Sequence, residues 1–531
     1  EGSLESRVAR NERWVANQRE LHSELFSSGL GYRLNQDQID SVLHDEHRSL
    51  VVAGAGTGKT STVVAKALWI HAQPESDLKR VKVLAFNAKA ASEINDRFGI
   101  IAGDEALAST FHSLGMGIAA KARGKKPRVT KLAEDKRLLQ AFIRSLIDEG
   151  LGDSTKSAAV IDFLAYFRYP DPNPTPIEYT HKANQWANGH DIRSLTGVKL
   201  RSNSEALIAN WLTLHGVKWD YELPYSLDTA TIRYGQYTPD FYLPDHKVYI
   251  EHWACNADGT LPESWSQSDK LGYWNGMKWK RDLHRRRRAT PLIETFSSPQ
   301  GAWEIIPSLI DQLSALGIHP QPITHKERNK LVSSDEVIAP VVKLLDQFLT
   351  IFKESGVSVD RITARCLQAG DLRGQAFMEM FRHIYARYQE RLATDRTIDF
   401  SDMIREAAEA LRSGVVSVEL DYLLVDEFQD ISQGRANLLS ALLEQNPACR
   451  LVAVGDDWQS IYRFAGSDVQ VMVDFPAIFG DTRRTDLRTS HRFGSNLMKA
   501  TSQFIQANPQ QLRKDLISRE SPFSSCFLVF P

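Results

Sequence analysis

The chain has 531 residues, 42% hydrophobic and 24% charged, an ordinary globular composition with apolar material for more than one core. Lys and Arg total 64 against 66 Asp and Glu, so no chain-wide basic signature marks a nucleic-acid binder, although a basic face can still be local. The four cysteines form no C-x-x-C pair, and their spacings suit neither a zinc knuckle nor a disulfide framework; with no secretory signal and no membrane-spanning apolar run, a reduced, cytoplasmic setting without membrane is expected.

Length predicts two to four domains. The first residue is Glu1 rather than Met, which reads as an incomplete N-terminus. Residues 1–30 read as a polar, amphipathic helix carrying Trp14, Leu21 and Leu25. A buried strand is predicted at Ser49-Leu50-Val51-Val52, then a Gly-rich turn, then a helix from Ser61 to His71. Another short strand is predicted from Val81 to Phe86, and helical periodicity dominates from about 130 to 170. Pro170, Pro172, Pro174 and Pro176 break the pattern and mark a boundary. A helix over Glu205 to Leu214 then leads into strands at 218–222, 237–243 and 247–253, a basic helix near 270–288 and a strand at 291–296. Helices return from 335 to 412, and buried strands at Tyr422–Val425 and Leu451–Val454 close the pattern. Alternating strands and helices imply a parallel sheet covered on both faces.

Ala53-Gly54-Ala55-Gly56-Thr57-Gly58-Lys59-Thr60 fits the phosphate-loop pattern, with Ala at its first position. The glycines let backbone N–H groups point at phosphate oxygens without side-chain clash, and the following helix offers its N-terminus to the same anion. Lys59 is placed to reach the β and γ phosphates of ATP, and the Thr60 hydroxyl to ligate Mg²⁺. A Gly-rich turn that binds nothing is the plain alternative; the strand before it and the helix after it weigh against that. Leu423-Leu424-Val425-Asp426-Glu427 is an apolar strand ending in two carboxylates. Such an end can hold Asp426 near Mg²⁺ while Glu427 orients and deprotonates an attacking water. Alone the pair reads as a solvated loop; beside a phosphate loop it supplies what the loop lacks.

These residues resemble the UvrD/Rep-like DNA helicases of superfamily one, whose acidic motif matches Asp426-Glu427-Phe428-Gln429-Asp430. Other blocks agree in order. Leu34-Asn35 with Gln38 resembles the adenine-reading motif. Ala85-Phe86-Asn87 with Ala90-Ala91, and Thr110-Phe111-His112-Ser113, resemble two DNA-contacting motifs. The stretch from Gly455 to Phe464 resembles the block coupling the γ-phosphate to DNA, and Leu487 through Ser490-His491-Arg492 the segment carrying an arginine finger. The resemblance spans residues 30–115 and 395–510, and Tyr249-Ile250-Glu251-His252-Trp253-Ala254 points within the family to its helicase IV branch.

The resemblance implies an ATP-hydrolysing helicase that uses ATP and Mg²⁺ and moves 3′ to 5′ on single-stranded and partly duplex DNA. Gln38 would read adenine, Gln459 would sense the γ-phosphate, and Arg492 would neutralise transition-state charge. His491 stands where the family usually has a Tyr stacked on adenine, and an imidazole can stack as well. Tyr462 and Phe464, with Arg463 between them, would stack on bases, and Phe86, Asn87, Thr110 and His112 would line the same channel. Without the resemblance such aromatics read as core. Lys121, Arg123, Lys125, Lys126 and Arg128 read equally as a DNA-backbone clamp or a solvated loop.

The fold implied is α/β, a P-loop NTPase (RecA-like) parallel sheet with a helical subdomain and an inserted restriction-endonuclease-like α/β module. The expected division is an N-terminal segment (1–30), a first motor domain (31–115 and 396–482), a helical subdomain (116–196 and 301–395), the insertion (197–300) and the start of a second motor domain (483–531). In the insertion, Pro239-Asp240 and Glu251-x-Trp253 resemble the endonuclease pattern in which Asp and Glu hold a metal and a Lys assists the attacking water. Glu205 matches that family's extra carboxylate. Trp253 occupies the Lys position, and Lys278 or Lys280 could substitute in space. A metal-dependent nuclease and a DNA-binding or structural module both remain open, and the Arg285–Arg288 run reads as phosphate contact or solvated helix end. The family's last two motifs are not found after Arg492, and Ile517 to Pro531 reads as an abnormal terminus. With only a stub of the second motor domain, the chain is expected to bind ATP while its DNA-stimulated turnover and unwinding are weak or absent.

Overall fold

The structure, a computed structural model, describes residues 4–102, 107–153, 157–169, 192–232, 234–263, 265–286, 290–297, 304–463, 466–492, 494–508 and 511–518, with side chains from residue 10 onward. The chain divides into two compact units, residues 1–136, 347–357 and 389–531, and residues 137–346 and 358–388.

The first unit is built on six parallel strands in the order Arg483–Leu487, Arg48–Ala53, Arg450–Gly455, Tyr422–Val425, Val81–Ala85, Ala108–Thr110. Successive side chains of a strand point to opposite faces, so a sheet covered on both faces needs unbroken apolar runs. The strands obey this. Leu50, Val52, Leu423, Val425, Leu451 and Ala453 join one core, with Ile404 and Leu411 of the helix Phe400–Arg412 and Leu438 and Leu442 of the helix Gln433–Gln445. Val51, Ala53, Leu424, Val452 and Val454 join the other, with Val63 and Ala67 of the helix Lys59–His71 and Ile94 and Phe98 of the helix Ala88–Ala102. Register brings the carboxyl ends of the strands level: Val52 lies opposite Gly455, Ala53 opposite Leu487, and Leu84 opposite Val425. Residues 54–58, 426–430, 456–459 and 488–492 therefore leave the sheet along one edge, where open α/β sheets bind ligands.

Two details differ from the sequence reading. The strand Arg483–Leu487 pairs with Arg48–Ala53, so the first sheet continues past residue 482. Its charged residues Arg483, Arg484 and Asp486 hide an edge strand that has only one neighbour to satisfy. Near the N-terminus the helix Leu4–Leu21 places Trp14 edge-on to Trp69 at 6.3 Å, but Leu21 is 69% exposed. A π turn over Leu25–Gly29 shifts the phase, and Phe26 takes the buried place.

The second unit holds helices, among them Val359–Gln368 and all but the first residue of Lys136–Gly152, and a four-stranded mixed sheet. The sheet runs Asp220–Tyr221, Phe241–Leu243, Val248–Trp253, Leu292–Phe296, with two antiparallel pairings and a final parallel one. Ile208 and Leu212 of the helix Asn203–Leu214, and Leu309 and Leu313 of Ile305–Ala315, pack with Phe241, Ile250 and Ile293. The basic helix is Gln267–Arg286, whose Met277 joins Trp253 and Cys255 in a smaller cluster. The Pro-rich stretch, Arg287, Arg288 and Cys526 lie outside the described residues. Among the described residues no helix is long and apolar enough to cross a membrane, and Cys255, Cys366 and Cys449 are free thiols.

Candidate functional site

The turn after the strand Arg48–Ala53 is shaped by two glycines in the left-handed region, Gly56 at φ +74 and Gly58 at φ +85. A Cβ at Gly58 would run into the Gln38 amide, and one at Gly56 into Arg492. Glycine at these positions thus serves conformation and close approach together. The loop's carbonyls are engaged from outside. Ser490 Oγ donates to Ala55 O at 2.7 Å, His491 N to Gly56 O at 3.0 Å, and Gln38 Nε2 to Thr57 O at 3.1 Å. Gln38 Oε1 also accepts from Asn35 N at 2.9 Å, closing a capping box at the start of the helix Gln36–Leu43. One N–H and one lone pair of the Gln38 amide remain for a ligand.

Across the loop, Thr60 Oγ1 donates to Asp426 Oδ2 at 3.0 Å, and Lys59 Nζ lies 2.9 Å from Glu427 Oε2. Asp426 is fixed by its own N–H, which donates to Leu84 O at 2.9 Å. Burial and the adjoining Glu427 push the Asp426 carboxyl up to about 6, against the pull of Thr60 and Lys59. Glu427 takes φ +51, a conformation that L side chains avoid and that costs about 1–2 kcal/mol. Gln429 Nε2 donates to Glu427 Oε2 at 2.8 Å, and its Oε1 accepts from Asp456 N at 2.8 Å. Asp456 in turn accepts from the Gln459 amide. The four loops are therefore joined by side-chain bonds as well as by the sheet.

Beyond the phosphate loop, Phe86 and Tyr462 meet at 5.3 Å between ring centres, and the Arg435 guanidinium lies 5.3 Å from the Phe86 ring. His112 packs on Phe400 at 5.2 Å, and burial and Arg435 hold its imidazole below the usual histidine range. Asn87 and Thr110 cap helices, accepting from Ala90 N at 2.8 Å and Ser113 N at 3.1 Å. Arg463 is exposed, and Phe464 lies outside the described residues. His491 and Arg492 are exposed beside Gly56. In the basic stretch, Arg123 is paired with Glu406 at 2.6 Å.

In the second unit, Asp240 Oδ2 accepts from His252 N at 2.7 Å and Glu205 Oε2 from the Tyr221 hydroxyl at 2.5 Å. Trp253 cannot act as the missing lysine; its indole is buried and donates to Glu294 at 2.8 Å. Lys280, not Lys278, reaches the place, with Nζ 2.6 Å from Glu251 Oε2. Glu251 is 1% exposed and its other oxygen has no hydrogen-bond partner. Burial and Asp240 push its carboxyl up to about 7, opposed by Lys280 and the nearby Tyr237 hydroxyl. Among the described residues no three His, Cys, Asp or Glu side chains converge closely enough to hold a metal unaided.

A Gly-rich turn between strand and helix, with its Lys and Thr against paired carboxylates ending another strand, is the arrangement of a phosphate-loop α/β protein. The chain matches the sequence profile of the UvrD/REP helicase N-terminal domain over residues 34–188 and 254–480, and it belongs to that family. The stretch unmatched in between, 189–253, contains Glu205, Asp240 and Glu251. The chain is 26% identical to DNA helicase IV of Escherichia coli (strain K12) over 520 residues, 97% of this chain and 53% of that protein. It is 27% identical to ATP-dependent DNA helicase PcrA of Staphylococcus epidermidis over 148 residues, 27% of this chain and 20% of the relative. With ATP-dependent DNA helicase UvrD1 of Mycobacterium bovis the figures are 30% over 143 residues, 25% and 18%. The chain thus spans about half the length of the helicase IV it matches.

Proposed function

We propose that the chain holds Mg²⁺·ATP on Gly54–Thr60, binds single-stranded DNA beside Phe86 and Tyr462, and hydrolyses ATP as part of a 3′-to-5′ DNA helicase or translocase. The observation that carries this reading is the convergence of Lys59 and Thr60 on Glu427 and Asp426. The residues fit the ion: Thr60 and Asp426 supply the one hydroxyl and one carboxylate with which Mg²⁺ is held when nucleotide phosphates and waters complete its octahedron. When bound, it would neutralise charge developing on the phosphates. Glu427 orients and deprotonates the attacking water, Lys59 binds the β and γ phosphates, and Gln459 and Arg492 face the terminal phosphate. Gln38 and His491 take the adenine. The Phe86–Tyr462 pair and Arg435 offer a stacking face and a cation to the DNA strand. The test is nucleotide binding and DNA-stimulated phosphate release in wild type and Lys59→Ala. Both are expected to vanish in the variant while single-stranded DNA still binds; binding and release untouched by the substitution would reject the reading.

A second reading concerns residues 197–300, where the orphaned Glu251 oxygen beside Lys280 favours a metal-dependent nuclease or DNA-binding module. A divalent ion would be held by Asp240 and Glu251, with Lys280 beside the reacting water. Mg²⁺-dependent DNA cleavage that survives Lys59→Ala and is lost in Asp240→Ala supports it. DNA binding without cleavage leaves the binding module, and neither activity removes both.

A further inference from the structure

Lys514 is only 3% exposed, and the mechanism above gives it no part. Its ammonium lies 2.5 Å from Asp456 Oδ1, 2.6 Å from Asp457 Oδ1 and 2.9 Å from the carbonyl of Ala53, the residue that opens the phosphate loop. The ammonium donates to Asp456 Oδ1 and Ala53 O, and the Asp457 carboxylate adds a second charge partner beside it. Taking an ammonium out of water is costly unless it is paired and bonded, and this one has both compensations.

The backbone around it is anchored to the same elements. Leu512 N donates to Asp457 Oδ2 at 2.7 Å, and Leu512 O accepts from the Trp458 indole at 3.0 Å. Leu516 lies so close over Gly54 that a Cβ there would collide with it. Residues 511–518 therefore cross from the phosphate loop to the block that follows the strand Arg450–Gly455.

Asp456 is the relay. One of its oxygens meets Lys514 and the other accepts from the Gln459 amide. A continuous path thus runs from Ala53 through Lys514 and Asp456 to Gln459. We propose that Lys514 is a positioning residue that fixes Gln459 relative to the phosphate loop, and that the site's preference for a nucleoside triphosphate over a diphosphate depends on it. This rests on the reading that Gln459 faces the terminal phosphate. The compact ammonium suits the role, since from one point it meets two carboxylates and a carbonyl, whereas a guanidinium is a planar fork.

The test compares the full chain's affinities for a non-hydrolysable ATP analogue and for ADP, both with Mg²⁺. Lys514→Met is expected to lower the ratio of the two about tenfold, equivalent to ~1.4 kcal/mol, while ADP affinity stays within about threefold of wild type. Gln459→Ala is expected to lower it equally, and the double variant no further, because both act on one interaction. Should Lys514→Met not fold, Asp456→Asn, which keeps the relay's shape and removes its charge, carries the same comparison. A purely structural lysine would weaken both nucleotides together and leave the ratio unchanged; that result, or effects of the two single variants that simply add, overturns the proposal. A wild-type chain that binds neither nucleotide rejects the reading of the site itself, and the proposal with it.

Discussion

Lys59 and Lys280 each rest on a glutamate, 2.9 Å from Glu427 and 2.6 Å from Glu251, yet the two pairs live under different physics. The Glu427 side chain is 32% exposed and sits at the end of a parallel strand, beside a loop shaped by left-handed glycines. Water reaches that pair from the Glu427 side, although the Lys59 side chain is only 10% exposed, so the carboxylate can leave it at less cost than a fully buried one. Glu251 is 1% exposed, on a central strand, with Lys280 against one of its oxygens. There the ammonium compensates a charge that water cannot, and the pair is held in place. The same two residue types form a releasable contact in one unit and a fixed one in the other.

The largest expected effect breaks the fixed pair. Lys280→Met should cost about 3–5 kcal/mol, because it strands a buried carboxylate, and adding Glu251→Leu should recover most of the loss; urea denaturation followed by tryptophan fluorescence measures both. Recovery absent from the double variant would show that Lys280 matters for reasons other than Glu251. Next comes Gly58→Val. A β-branched residue at φ +85 against the Gln38 amide should lower nucleotide affinity at least roughly tenfold, about 1.4 kcal/mol, in calorimetry. A smaller change is expected from Tyr462→Ala, which should weaken single-stranded DNA binding by roughly 1–3 kcal/mol in fluorescence anisotropy and leave nucleotide affinity alone. The smallest sharpens the contrast: Lys59→Met should shift the unfolding free energy by less than about 1 kcal/mol, although the same residue is central to the nucleotide site.

The first sheet was largely legible because unbroken apolar runs such as Leu423-Leu424-Val425 can satisfy a doubly covered parallel strand and little else. The strand Arg483–Leu487 was hidden for the converse reason: an edge position tolerates its charges. In the site, Lys59, Thr60, Asp426 and Glu427 were readable because glycine spacing and a strand-end acid pair restrict the chemistry. Arg435 and Lys514 were not. Neither lies in a recognisable motif, and only tertiary packing brings one onto Phe86 and the other onto Asp456. Lys280 stood as one of two candidates separated by a single intervening residue. Helix phase, which composition does not determine, turned Lys280 and not Lys278 toward Glu251.

The central claim is that the Gly-rich turn with Lys59, and Asp426 with Thr60, grip one triphosphate–metal unit. Calorimetric titration of a non-hydrolysable ATP analogue with and without Mg²⁺, in wild type and Asp426→Asn, tests it most directly. Mg²⁺ should tighten binding by wild type, and the substitution should abolish that enhancement while some metal-free affinity remains. A wild-type chain that takes up no nucleotide, or a variant that keeps the full Mg²⁺ enhancement, would contradict it.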